Sequence, residues 1–318
     1  MKYLVTGGAG FIGSHLAEAL VAGKNEVVVL DDFSTGNKKN LDTVSNLNQV
    51  SVIEGSILDA QLVESLVKEC DGVFHLAAAV GVKKILDDPI GSLKTNVEGS
   101  ENVLVSATKH KKRVLLASTS EIYGKNDSGP LTEESDRILG SPLLSRWTYS
   151  EAKAIDEAFA RVLYLREGLK VQTVRFFNTV GPRQSPAYGM VIPRFFAAAK
   201  SNEPLRIYGD GSQQRVFCHI SDAVSGVMAL WNSDKGFGEA FNLGGFQEIT
   251  ILKLAKEIIS ITGSNSGIEF VPYEQLLDSG FEDMKRRLPV TTKLQNLTGW
   301  KATKDLNYIL SDLNKDKA

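Results

Sequence analysis

Lys2-Tyr3-Leu4-Val5-Thr6-Gly7-Gly8-Ala9-Gly10-Phe11-Ile12-Gly13 is the stretch whose reading decides the fold. The β-branched run Lys2 to Thr6 breaks into a glycine turn, after which apolar residues at Leu16, Ala19 and Leu20 recur at helical spacing. A second β-branched run, Glu26 to Leu30, follows, so the opening reads strand, glycine turn, helix, strand. Glycines let such a turn tighten, let backbone approach a phosphate closely, and let the helix pack on the strand, while the free N–H groups of the first helical turn attract anionic charge.

Gly7, Gly10 and Gly13 are the residues expected in those roles, with Phe11 and Ile12 between them. Asp31 closes the second run at about twenty residues' distance, where a carboxylate accepts hydrogen bonds from an adenosine ribose and repels a 2′-phosphate. The expected cofactor is therefore NAD rather than NADP, although Lys38 and Lys39 stand close enough in sequence to meet a 2′-phosphate. Further runs at Val50 to Ile53, Gly72 to Leu76, Arg113 to Ser118 and Val171 to Phe176 alternate with helical patterns. Strands alternating with helices predict an α/β fold, a Rossmann-type doubly wound parallel sheet covered on both faces. After about Gly181 the rhythm breaks into Gly181-Pro182-Arg183 and Tyr208-Gly209-Asp210-Gly211, followed by a helical pattern over Ile251 to Ile261. Residues 1–180 are thus expected to form the cofactor domain, and residues 181–318 a smaller α/β substrate lobe, part of which packs back on the first.

The chain has 318 residues, 42% of them hydrophobic, and a formal net charge of -2. Without a basic excess it fits neither nucleic acid nor a membrane surface, which leaves small molecules and its own copies as partners. No apolar run approaches the ~20 residues of a bilayer span, and the first residues enter a strand without the sections of a signal peptide, so a cytoplasmic location is expected. Cys70 and Cys218 read as inert buried thiols, and His15, His75, His110 and His219 show no metal-ligand spacing, so no metal is expected.

Tyr149 and Lys153 lie four apart at the head of a helical segment and so share one face. A nearby ammonium lowers a phenol's pKa, which predicts Tyr149 as general base, taking a hydroxyl proton as hydride leaves the carbon, with Lys153 also holding the nicotinamide ribose.

With these elements in place, the chain resembles the extended short-chain dehydrogenase/reductase family, specifically its nucleotide-sugar epimerases, dehydratases and decarboxylases. The resemblance spans essentially the whole chain. It rests on the glycine loop, His75-Leu76-Ala77-Ala78, Thr119-Ser120-Glu121-Ile122-Tyr123-Gly124, the Tyr149/Lys153 pair, Arg175-Phe176-Phe177-Asn178-Thr179-Val180-Gly181-Pro182-Arg183, and Tyr208-Gly209-Asp210-Gly211 through Arg215. It implies that Leu76, Ala77, Ala78 and Ile57 line the cofactor site, that Thr119 hydrogen-bonds the sugar hydroxyl beside Tyr149, and that Asn178 and Arg215 hold a diphosphate. It also implies that the segment Val191 to Phe195, including Arg194, encloses a pyrimidine base together with Tyr208. Ser56 stands where many relatives carry an Asp against adenine, and that one contact is not carried over.

Dehydratases of the family commonly carry Asp-Glu after the threonine, whereas this chain has Ser120 and Glu121. Thr-Ser-Glu resembles the UDP-glucuronate decarboxylases, as does Gly280 through Pro289, which places Arg287 at a functionally important arginine. Oxidation at C4 of a hexuronate makes a β-keto acid that loses carbon dioxide readily, and a guanidinium grips a carboxylate bidentately. The resemblance therefore implies a UDP-sugar enzyme, best read as a UDP-glucuronate decarboxylase giving UDP-xylose or its 4-keto precursor, in which Ser120 and Glu121 position or protonate the enolate. A UDP-sugar 4-epimerase, using UDP-glucuronate or UDP-glucose and UDP-galactose, needs the same Thr119, Tyr149 and Lys153. A non-catalytic nucleotide sensor with this fold is the third reading, and the intact Thr119, Tyr149 and Lys153 speak against it. Relatives commonly dimerise through two helices. The matching segments, Ser92 to His110 and Tyr149 to Arg166, carry Val97, Val103, Leu104, Ile155, Phe159 and Leu163, which predicts a homodimer.

Overall fold

The computed structural model describes residues 1–81, 88–144, 147–188, 190–273 and 284–315. The chain opens with β1 (Lys2–Thr6), α1 (Phe11–Ala22) and β2 (Glu26–Asp31). It continues through β3 (Val50–Glu54), α2 (Ala60–Glu69), β4 (Gly72–His75), α3 (Pro89–Lys109), β5 (Arg113–Thr119), α4 (Thr148–Glu167) and β6 (Val171–Phe176). These strands lie parallel in the order β3-β2-β1-β4-β5-β6, and β11 (Glu239–Leu243) adds a seventh parallel strand beside β6. The strand order reverses between β1 and β4, and the crevice beyond their carboxyl ends is where open parallel sheets receive ligands.

Alternate residues of one strand feed two cores. Val5, Val27, Val29, Phe74, Leu115 and Val174 pack with Leu16, Leu20 and residues of α6 (Ile220–Trp231) on one face. Leu4, Val28, Leu30, Val73, Val114 and Leu116 pack with α2, α3 and α4 on the other. This two-sided burial explains why the strands read as near-continuous apolar runs rather than alternating ones. Each buried Leu or Val contributes about 1.5–3 kcal/mol relative to its exposed state, so the sheet and its helices hold one another in place.

A third core joins α5 (Val191–Lys200), α7 (Ile251–Thr262) and α9 (Leu306–Lys315) through Ile192, Phe195, Leu254, Ile258, Ile309 and Leu310. Short elements, among them β7 (Thr179–Val180), β8 (Leu205–Tyr208), β10 (Cys218–His219), β13 (Ile268–Val271) and α8 (Thr292–Thr298), complete the second half of the chain. β9 (Gln214–Val216) pairs with β12 (Glu248–Thr250) and, in parallel, with the two-residue β14 (Arg286–Arg287), which sets Arg287 opposite Arg215. β11 and α6 lie beyond residue 180 in sequence yet belong to the large sheet and its covering layer. In the expected dimer helices, whose apolar positions were to serve both the sheet and a partner, Val103 and Leu104 take the sheet side, where the inward stripe of α3 covers the strands.

Candidate active site

The glycine turn begins where β1 and β4 diverge. Gly7 has φ +68°, and a Cβ there would sit 2.7 Å from Ala77 N, while a Cβ at Gly13 would sit 2.2 Å from Gly7 O. Neither contact can be relieved by moving a flexible side chain, so these two positions require glycine. Gly10 stands at the N-cap of α1 without a side-chain hydrogen bond, and the first turn carries no acidic residue. An uncapped helix start with no competing carboxylate presents its N–H groups to an anion. Asp31 Oδ2 accepts from Ala9 N at 2.9 Å and Oδ1 from Phe33 N at 2.8 Å, which pins the carboxylate at the end of β2. Burial nevertheless pushes its proton affinity up, partly offset by those two N–H groups. Lys38 reaches Glu54 at 2.8 Å on the exposed side of the same turn. A glycine cradle, an uncapped helix start and a pinned carboxylate fit a dinucleotide.

One cavity of about 1650 Å³ runs from this turn to the second lobe. Gly7, Gly10, Phe11, Ile12, Gly13, Asp31, Ile57, Leu76, Ala77 and Ala78 line one end, and Asn178, Val191, Arg194, Tyr208, Arg215 and Arg287 the other, with Thr119, Ser120, Glu121, Tyr149 and Lys153 between them. Ser56 is turned away, its hydroxyl accepting from Leu58 N at 3.2 Å. Phe195 and Phe196 both pack in the lobe's core, and of the two it is Phe196 that also lines the cavity. Arg194 lays its guanidinium 4.4 Å from the centre of the Tyr208 ring.

Thr119 ends β5 and caps the single helical turn Ser120–Tyr123 by accepting from Glu121 N at 3.1 Å. Its side chain is also hydrogen-bonded to the Tyr149 phenol. Ser150 donates to Glu121 O at 2.9 Å, locking the head of α4 against that turn. Glu121 Oε1 meets Arg287 Nη1 at 2.7 Å, and the same nitrogen donates to Ser120 Oγ at 3.2 Å. Residues 167 positions apart in sequence thus form one polar group in which Arg287 is almost wholly buried.

The expected lowering of Tyr149 by Lys153 is corrected by this geometry. Burial first, then Glu121 and Asp156, push the phenol above its ordinary range, and only the Thr119 hydrogen bond pulls it down. The Lys153 ammonium is directed to Asp156 Oδ2 at 2.9 Å. Residues 280–283 of the arginine-bearing stretch, and Arg146, lie outside the described residues. The wall built by Ala79, Val80, Gly81, Ser92 and Thr95 was not foreseen, since small and hydroxylated residues carry no pattern of their own. Arg183 and Gln213 also line the cavity and sit inside the quoted motifs, where spacing to their neighbours was the available signal. Among the described residues, no group of three or more His, Cys, Asp or Glu side chains is gathered as metal ligands.

A Rossmann-type sheet with a threonine, tyrosine and lysine gathered over its glycine turn defines the short-chain dehydrogenase/reductase class. Within it, residues 4–313 match the GDP-mannose 4,6 dehydratase family, and the chain belongs to that family. A UDP-N-acetyl-alpha-D-glucosaminuronate decarboxylase of Bacillus cytotoxicus is 42% identical over 297 residues, 93% of this chain and 91% of that protein. UDP-glucuronic acid decarboxylase 1 of Danio rerio is 37% identical over 299 residues, 94% of this chain and 68% of that protein. Among solved structures, the UDP-glucuronic acid 4-epimerase of Bacillus cereus, in complex with UDP-glucuronic acid and NAD, superimposes with a TM-score of 0.89 at 28% identity, covering 99% of this chain and 98% of that one.

Proposed function

We propose that the protein is an NAD-dependent decarboxylase of a UDP-linked hexuronate, with UDP-glucuronate as substrate and UDP-xylose as product. The observation that carries this reading is the buried Arg287, set against Glu121 and Ser120 beside the Thr119–Tyr149 pair. Two similar proteins named as decarboxylases of such uronates support it.

Bound NAD would supply the hydride acceptor for C4 and, once reduced, the hydride donor that restores it. Tyr149 Oη takes the C4 hydroxyl proton, with Thr119 aligning that hydroxyl. Lys153, which lines the cavity beside Tyr149, would hold the nicotinamide ribose. Asn178 and Arg215 bind the diphosphate, and Val191, Arg194 and Tyr208 bound the base. Arg287 holds the C6 carboxylate until C4 is a ketone; the C5–C6 bond then breaks, carbon dioxide leaves, and the electron pair passes to the C4 oxygen as an enolate. Ser120 and Glu121 lie where they steer the proton that returns to C5, and Tyr149 gives its proton back as C4 is reduced.

Residues 1–180 act as the cofactor domain and 181–318 as the substrate lobe, with α6 and β11 returned to the first. No described helix is long and apolar enough to cross a membrane. Both cysteines are unbridged, which supports placing the enzyme in the cytoplasm. It acts as a homodimer. α3 and α4 pack side by side, and Ile90, Leu93 and Val105 on one, with Ile155, Val162 and Leu165 on the other, form exposed apolar stripes suited to a second copy. Val97, Phe159 and Leu163 are half-buried between stripe and core.

Incubation with UDP-glucuronate, UDP-N-acetylglucosaminuronate, UDP-glucose and UDP-galactose in turn, with products identified by mass and NMR, tests the reading. A uronate should lose carbon dioxide and yield a UDP-pentose. A product of unchanged mass with inverted C4 would establish the epimerase, a reading favoured by the structural likeness to the Bacillus cereus enzyme.

A further inference from the structure

Beneath Lys153 runs a chain of hydrogen bonds that the mechanism above does not use. Lys153 Nζ donates to Asp156 Oδ2 at 2.9 Å, and Ser100 Oγ donates to the same oxygen at 3.0 Å. Ser100 has one hydroxyl proton and it goes to the carboxylate, so toward His75 Nε2, at 3.0 Å, Ser100 must accept. His75 therefore carries its hydrogen on Nε2, and its bare Nδ1 takes the Thr6 hydroxyl proton at 2.7 Å. Thr6 Oγ1 in turn accepts from Ala77 N at 3.2 Å. Every proton has one direction, from the Ala77 backbone to the carboxylate that holds the lysine. Thr6, His75, Ser100, Lys153 and Asp156 are each 2% exposed or less. Burial, then the Lys153 charge, lower His75 to about 3, so the ring stays neutral and the tautomer holds at working pH.

Lysine and aspartate three apart on a helix are ordinarily a solvated pair worth a few tenths of a kcal/mol. Here both are buried, and an ammonium out of water needs a fixed counter-charge. An ammonium has three donors. One goes to Asp156, and the other two are available to a ligand in the cavity that Lys153 lines and that Asp156 does not reach. At the far end, the chain stops on Ala77, the residue whose backbone leaves Gly7 no room for a Cβ.

We propose that Asp156 is a positioning residue for hydride transfer: it orients the Lys153 ammonium at the cofactor's edge, and the Ser100–His75–Thr6 chain ties it to the turn behind the glycine loop, making cofactor seat and lysine one rigid unit. This rests on the assignment of Tyr149 and Lys153 to hydride transfer. The charged and polar groups acting on Tyr149 are Thr119 on β5, Glu121 on the following turn with Arg287 beyond it, and, on its own helix, Asp156, which holds the Lys153 ammonium.

The test uses the full chain with Asp156→Asn, Ser100→Ala, Lys153→Met and the double variant Asp156→Asn/Lys153→Met, each checked for folding by circular dichroism. NAD affinity by calorimetry should fall about tenfold in Asp156→Asn, a readout that needs no substrate. In single turnovers with UDP-glucuronate, hydride transfer should slow by about 10- to 100-fold with KM for the sugar nucleotide unchanged, as expected for misplacement outside the cavity. The acid limb of its pH profile should move to lower pH, because a negative charge near the phenol is removed. In the Lys153→Met background the same change should cost under about threefold more, since the residue acts through the lysine. Ser100→Ala should show a severalfold loss in the same direction, which keeps the test open if Asp156→Asn does not fold. A folded Asp156→Asn protein with wild-type NAD affinity and an unmoved pH limb overturns the proposal, as does an undiminished loss in the Lys153→Met background. Near-normal turnover by Tyr149→Phe would instead overturn the assignment on which it rests.

Discussion

Replacing Arg287 by alanine separates two consequences of one ion pair. The guanidinium meets Glu121 at 2.7 Å in a setting where the side chains are 7% and 18% exposed. Removing one member of a buried pair leaves the other charge uncompensated, at a cost of about 3–5 kcal/mol, and the residual exposure of Glu121 places this pair near about 3 kcal/mol. Removing both charges relieves that penalty, so Arg287→Met/Glu121→Gln should recover stability to within about 1 kcal/mol of wild type. Catalysis should not recover. A charge-assisted hydrogen bond to the substrate carboxylate is worth about 1.5–3 kcal/mol, which at about 1.4 kcal/mol per decade means roughly a 10- to 150-fold loss in carbon dioxide release. In the proposed mechanism hydride removal from C4 falls to Thr119, Tyr149 and Lys153, so it should be impaired less. The assay pairs urea denaturation with single-turnover measurement of transient NADH absorbance and of released carbon dioxide. Equal losses in both steps, or normal decarboxylation by the double variant, would refute the carboxylate role of Arg287.

Three further outcomes follow from the same geometry. Tyr149→Phe should abolish turnover while sugar-nucleotide affinity by calorimetry stays within about threefold, because only the proton acceptor is lost; retained turnover would remove Tyr149 from the role. Glu121 is the larger of the two charges that raise the phenol's proton affinity; with Tyr149 as the proposed base, activity in the oxidation direction should rise with pH as the phenol ionises, and Glu121→Gln should carry that acid limb to lower pH even as decarboxylation falls. Val162→Glu, on the exposed stripe of α4, should convert a homodimer to a folded monomer in sedimentation, whereas a wild-type protein already monomeric at micromolar concentration would dismiss the interface.

Much of the large sheet was legible because its signals are local. The glycine positions, the Val-rich runs and Asp31 all lie within one βαβ unit, where spacing and backbone sterics dictate the geometry. β11 was not foreseen beside β6, since Glu239 to Leu243 joins a strand more than sixty residues earlier and nothing within the segment points there. The contact of Arg287 with Ser120 spans 167 residues, and only a resemblance placed that arginine in the site. Spacing to Lys153 is visible in sequence and predicts a lowered Tyr149 phenol, whereas the burial that raises it and the orientation of Lys153 toward Asp156 are properties of the packed site. Likewise the three-residue step from Lys153 to Asp156 is plain, but its burial and its continuation through Ser100 and His75 are not.

The central claim is that C4 is oxidised and reduced by one retained cofactor while carbon dioxide departs in between. UDP-glucuronate carrying deuterium at C4, given to the purified enzyme with only catalytic NAD, tests it most directly. The product should be UDP-xylose, lighter by carbon dioxide and with deuterium still at C4, and free deuterated NADH should not accumulate. Deuterium appearing in NADH released in step with product, or a product of unchanged mass with inverted C4, would contradict the account.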